Sequence, residues 1–263
     1  MMNKFKIKKI ILVAIIMVVS LYNFSFALII PKKFINGNEA ADTSQIDKFI
    51  YDYDIETNGL ISKDVKVDDI VSFGKFYDLN ENNETIKVPI SWKVLTVEND
   101  HVLLITKDII KTLPYNTTWN PINWRDCSLR KWLNDDFYDI AFNEYEKAYI
   151  SEVINNNNGN EKHKIKQNFD TLDKVFLLSA EEVRRFFHRK SMQALGTKYA
   201  LNEGLWVAKN GSSEGYSVWW LRNTGKNTSF ASLIHAGGSV GDDGDGVATK
   251  GNGLRPCIWV KMK

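Results

Sequence analysis

All eight tryptophans of this 263-residue chain lie between Trp92 and Trp259, and none lies in the first 91 residues. Large aromatics dominate hydrophobic cores, so the folded unit must enclose that span. A packed region over residues 66–263 is expected. Two of the tryptophans are adjacent, in SVWWLRNTG (Ser217–Gly225). Neighbouring residues of a strand point to opposite faces. In a domain with strands at its centre and helices packed around it, both sides of such a strand can be core, so one or both of Trp219 and Trp220 can fill the interior.

The rest of the span reads as mixed. Ile70 to Phe76 predicts a strand, and VPISWKVLTV and HVLLIT flank END as a hairpin. Leu129, Trp132 and Leu133 fall on one helical face. Asp126 is read as the cap of that helix and Asn134 as its end, with a second helix from about Asp136. INNNNGNEKHKIKQNFD reads as a solvated loop or hairpin, and KVFLLS as a short buried strand. Ser179 and Glu182 in SAEE match a capping box opening a helix. Beyond Gly204, SVWWLR, FASLIHAG, GVATK and RPCIWVKM read as strands separated by glycine turns. The fold class is α+β, with antiparallel strands closing the chain.

The start of the chain is of another kind. Lys4, Lys6, Lys8 and Lys9 precede an apolar run from Ile10 to Val19, and Ser25-Phe26-Ala27 supplies small residues for cleavage. Residues 1–27 thus read as a secretory signal peptide. The rival is an uncleaved anchor over Ile10 to Ile30, the only route by which this chain would hold a membrane. Either reading exports the remainder to the cell surface or beyond. Residues 28–65 read as a lead-in or linker. Removing residues 1–27 takes away four lysines and no acids, leaving 30 basic and 32 acidic side chains, a net charge of −2. Nothing in that balance calls for nucleic acid.

PISWKVL, WRDCSLRKWLNDDFYDIAF, DKVFLLSAEEVRRFF, VWWLRNTG and GLRPCIWV occur in this order. Together they resemble an uncharacterised domain of secreted and surface proteins of Gram-positive bacteria. That domain is similar to the C-type-lectin-like fold, shared with formylglycine-generating (sulfatase-modifying) enzymes and retroelement variable proteins. The resemblance implies a C-type-lectin-like domain over residues 66–263. It also implies recognition by the loops after the tryptophan strand, Asn223 to Phe230 and Ala236 to Gly246. The candidate binding surface is Trp220, Arg222, Asn223, His235, Asp242, Asp243 and Asp245. Arg222 has two readings, a bidentate anion ligand or a structural salt bridge, and Arg255 shares them. Trp220 likewise is either contact or core.

Cys127 and Cys257 are the only cysteines. In an exported protein an even pair argues for a disulfide. A bridge from first helix to last strand is also what the resemblance implies; two separate buried thiols are the alternative. Neither cysteine's context resembles the open copper-binding groove of formylglycine-generating enzymes. Asp242, Asp243 and Asp245 between glycines admit calcium, without EF-hand spacing. The four histidines lack zinc-ligand spacing, and no G-x-S-x-G or Walker motif occurs. The expected function is a non-catalytic binding module for a protein or a cell-envelope glycan, with no cofactor beyond that calcium. The alternatives are an oxidoreductase on the formylglycine-generating scaffold, a hydrolase using the acidic loop, and a structural envelope protein.

Overall fold

The computed structural model describes residues 60–263. The signal peptide, and all but the end of the lead-in, lie outside the described residues. In chain order the elements are β1 (Ile70–Leu79), β2 (Thr85–Glu98), β3 (His101–Thr106) and β4 (Lys111–Thr112). A helical stretch follows: α1 (Ser128–Trp132), a π-helical turn (Leu133–Phe137) and α2 (Tyr138–Ala141). Next come α3 (Glu144–Lys147), β5 (Ile150–Ser151), β6 (Val153–Asn160), β7 (Ile165–Asp173), α4 (Ala180–Phe186) and α5 (Lys198–Asn202). The chain closes with β8 (Trp219–Thr224), β9 (Phe230–Ile234), β10 (Val240–Gly246), β11 (Gly253–Leu254) and β12 (Cys257–Lys261). The class is α+β.

Two five-stranded sheets and one hairpin result. The first sheet has the order β1-β2-β3-β12-β5 and is antiparallel throughout. The second has the order β10-β9-β8-β11-β4, with one parallel step between β11 and β8. β6 and β7 pair as a separate hairpin. β3 and β8 are buried along nearly their whole length. Hence HVLLIT and WWLRNT lack the alternation of a half-exposed strand. Trp219 and Trp220 are both fully buried, and they anchor opposite sides. The Trp219 Nε1–H donates to the Met192 carbonyl and that of Trp220 to the Leu113 carbonyl, each at 3.0 Å. Indole N–H groups need such partners when enclosed.

Several local expectations give way to tertiary contacts. Asp126 does not cap the helix: the Asn123 side chain caps a preceding 3-10 turn, and Cys127 Sγ accepts from the Arg130 N–H at α1. Asn134 does not end it either. It sits within the π-helical turn, accepting from the Lys174 and Val175 N–H groups and donating to the Arg130 and Val175 carbonyls. KVFLLS is buried beyond Lys174 but forms no regular strand: Phe176 makes an isolated bridge with Cys257, and the Leu178 carbonyl accepts from the Arg222 N–H at 3.0 Å. GVATK is a turn; the strand lies earlier, over Val240–Gly246, in the stretch read as an acidic loop.

Nor does the structure hold the expected disulfide. Cys127 and Cys257 are both free and buried. Burial pushes the Cys127 thiol up to about 12 and the Cys257 thiol well above its usual value. Arg255 proves internal. Its guanidinium donates to the Thr106 and Lys107 carbonyls and lies 4.9 Å from the Trp219 ring centre. Burial lowers its pKa to about 10.

Candidate functional site

The Ser179–Glu182 capping box forms as read. The Glu182 N–H donates to Ser179 Oγ at 3.1 Å, and Glu182 Oε2 accepts from the Ser179 N–H at 2.8 Å. The same carboxylate reaches β8. Arg222 Nη2 donates to Glu182 Oε1 at 2.7 Å, Nη1 donates to Oε2, and Nη1 also donates to the Leu177 carbonyl at 2.9 Å. Arg222 is 4 % exposed and its guanidinium is occupied on both prongs. It is therefore a clamp between α4 and β8, and the salt-bridge reading is the right one. Arg222 and Trp220 are removed from the candidate surface.

Four of the remaining five candidates divide between two clefts on opposite faces of the β8-β9-β10 sheet, and Asp243 lines neither. Alternation along β9 places Ser232 on one and Leu233 on the other. The first cleft, about 350 Å³, is enclosed by the β6–β7 turn, the start of α4 and β10, and holds Asn223 and Asp242. Its walls are tied to one another. Asn160 Nδ2 donates to the carbonyls of Thr224, Gly225 and Asp242. Asn223 joins the Ala180 N–H to the Gly159 carbonyl. Arg184 grips both oxygens of Asp242 at 2.7 and 2.6 Å. At the rim, Asp243 takes Lys162 at 2.6 Å and His163 at 2.8 Å. Those two hydrogen bonds, Lys162 first, hold the Asp243 carboxyl below its usual range. This cleft is largely an internal latch for the hairpin.

The second cleft, about 310 Å³, holds His235 and Asp245. It is also lined by Trp206, which is 52 % exposed, and by Val218 and Leu233. The same cleft holds a fixed polar set. Asp245 Oδ1 accepts from the Gly246 N–H at 2.7 Å and from Thr249 Oγ1 at 3.1 Å, and its Oδ2 accepts from Asn252 Nδ2 at 3.1 Å. Trp206 is held by its own backbone, whose N–H donates to the Gly251 carbonyl at 2.9 Å. Gly251 has φ +91°, and a Cβ there would sit 3.5 Å from the Trp206 Cβ. The His235 ring lies over Gly241, where a Cβ would stand 2.6 Å from its Nε2.

The aspartates thus do not converge. Asp242 faces Arg184, Asp243 faces Lys162, and Asp245 turns to Asn252. Among the described residues no group of three or more His, Cys, Asp or Glu side chains is placed to share a metal ion. Sequence reasoning missed Trp206, Thr249 and Asn252. The available signal was a tryptophan in EGLWVAKNG, between turn residues and outside any alternating run.

A family model described as a domain of unknown function, DUF6273, matches residues 99–262. The match starts at the β2–β3 turn, although β1 and β2 complete the sheet that contains β3. No curated protein and no solved structure matches the chain.

Proposed function

Given that the chain belongs to the DUF6273 family, we propose that it is an exported, surface-held or secreted, non-catalytic binding module, and that the Trp206 cleft contacts an envelope glycan. The observation that carries this reading is the half-exposed Trp206 lining one cleft together with Asp245, Thr249 and Asn252. Sugar rings pair apolar C–H faces with hydroxyl edges. An indole face beside a held carboxylate, amide and hydroxyl offers both kinds of contact, with few but placed polar groups. Export rests on residues 1–27. The C-type-lectin-like scaffold is supported by the phrases that carry the resemblance: WWLR lies in buried β8, and GLRPCIWV runs through β11 and β12, which joins the first sheet between β3 and β5. Cysteine chemistry is disfavoured, because a reactive cysteine needs thiolate character and access, and both thiols here are sealed and raised.

The test titrates the purified protein with bacterial envelope polysaccharides and surface-protein extracts, with and without a calcium chelator. Trp206→Ala is expected to lower glycan affinity about thirtyfold, or about 2 kcal/mol, while the fold is retained. Binding should survive chelation. Glycan binding untouched by Trp206→Ala refutes the site, and binding only to protein refutes the ligand.

A further inference from the structure

Trp119 is 60 % exposed, more than Trp206, and it lies beside the Trp206 cleft. A Cβ at Gly246 would collide with the Trp119 ring and stand 3.3 Å from Thr249 Oγ1. The indole therefore lies against the backbone of Gly246, next to Thr249, which is a wall of the cleft. From there Thr249 bonds Asp245, Asp245 bonds Asn252, and Asn252 follows Gly251, against which Trp206 packs. Two exposed indoles thus flank one continuous polar strip.

The loop that carries Trp119 is built to hold it. Asn116 Nδ2 donates to the Thr118 carbonyl, Thr118 Oγ1 and Asn120 Oδ1, and the Asn116 N–H donates to the Val247 carbonyl at 2.8 Å. Phe230 meets the Trp119 ring edge-on at 5.8 Å between centres, and Lys226 Nζ lies 4.1 Å from the Phe230 ring centre. A large apolar face kept exposed and ordered loses little freedom when a ligand covers it. The strip between the indoles contains a site not used internally. Asn252 is 4 % exposed, and its Oδ1 accepts no hydrogen bond among the described residues.

We infer that Trp119 forms a second subsite, and that the ligand is a linear oligosaccharide lying from Trp206 across Asp245 and Thr249 to Trp119. This inference rests on the reading of the Trp206 cleft as a glycan site. A chain of sugars alternates stacking faces and hydroxyl edges, matching indole, polar strip, indole. An extended peptide would instead add to a sheet edge. The edge here, β10, is already engaged: the Asp242 carbonyl is taken by Asn160 and the Asp243 carbonyl by the Lys226 N–H at 2.8 Å.

The probe is a size-graded set of oligosaccharides cut from bacterial envelope polysaccharide, from single sugars to long oligomers, followed by calorimetry and by quenching of tryptophan fluorescence. Wild-type affinity should rise at least about tenfold from the shortest bound oligomer to the longest, since joined subsites act through effective concentration. Trp119→Ala should abolish that rise and leave short-oligomer affinity unchanged, with Trp119→Phe restoring part of it. Trp206→Ala should weaken every length. If Trp119→Ala binds long oligomers like wild type while Trp206→Ala does not, the second subsite is wrong and the Trp206 site stands. If the folded wild type binds no oligosaccharide of any length, both fall.

Discussion

Replacing Arg222 by alanine separates a structural clamp from a ligand contact. The side chain is 4 % exposed and reaches from β8 to α4 through Glu182 and to the segment before α4 through the Leu177 carbonyl. Truncating one partner of a buried ion pair costs about 3–5 kcal/mol, because the other charge is left behind. The Glu182 side chain is 29 % exposed, so water recovers part of its solvation and the lower end applies. A loss of about 3 kcal/mol is a large share of a typical stability of about 5–15 kcal/mol. At about 2–4 °C per kcal/mol for a domain of this size, Tm should fall by about 6–12 °C. Thermal and urea unfolding followed by circular dichroism read this directly. Glu182→Gln makes the companion variant, since glutamine keeps the capping box but loses the charge. The double variant should cost less than the sum of the two single changes, by about 1–3 kcal/mol. If Arg222→Ala unfolds within about 0.5 kcal/mol of wild type, the clamp is wrong and Arg222 is free for another task.

Three further outcomes are expected. Trp219→Ala and Trp220→Ala should each cost about 3–5 kcal/mol in urea unfolding, whereas Trp206→Ala should stay within about 1 kcal/mol, because only the first two leave cavities in a closed core. A thiol reagent should label neither cysteine in the native protein and both after denaturation without reductant; no label after denaturation would show a bridge between Cys127 and Cys257. The Lys162 and His163 contacts depress the Asp243 pKa, so their contribution is present above the ordinary value of 3.8 and fades as pH falls below it through the folded value. Amide exchange at the β6–β7 turn should accelerate over that acid window in wild type, and Asp243→Asn should remove this dependence; an unchanged profile would sink the latch.

Features set by neighbours in the chain were legible. The capping box at Ser179 and Glu182 needs only an i,i+3 spacing, and it formed. The END hairpin followed from runs of apolar residues over a few positions, whereas the burial of all of β8 did not, since Trp220, Arg222 and Asn223 read as a candidate surface. The hairpin alternative for INNNNGNEKHKIKQNFD forms, as β6–β7; the burial within INNNNGN was not legible. By composition it is a solvated turn, yet it lies in β6, with Asn155, Asn157 and Asn160 buried. Asn155 donates to Asp173, Asn157 to Thr171 and Asn160 to three carbonyls, so each amide finds partners on distant segments. GDDGDG likewise reads as a loop. It is β10 because β9 pairs with it across a bulge between Gly241 and Asp245. Strand preference is weak where pairing decides.

The sequence by itself determined an α+β chain with a tryptophan-rich core and the helix opening at α4. These depend on periodicity and on spacings of a few residues. Only the tertiary structure decided which aromatic and charged side chains meet solvent. Trp206 and Trp220 are the same residue type 14 positions apart, yet one is 52 % exposed and the other fully buried. Arg222 had two readings, ligand or salt bridge, until α4 brought Glu182 to it from 40 residues earlier. Exposure and pairing are properties of what packs alongside, and for these residues the neighbours come from far along the chain.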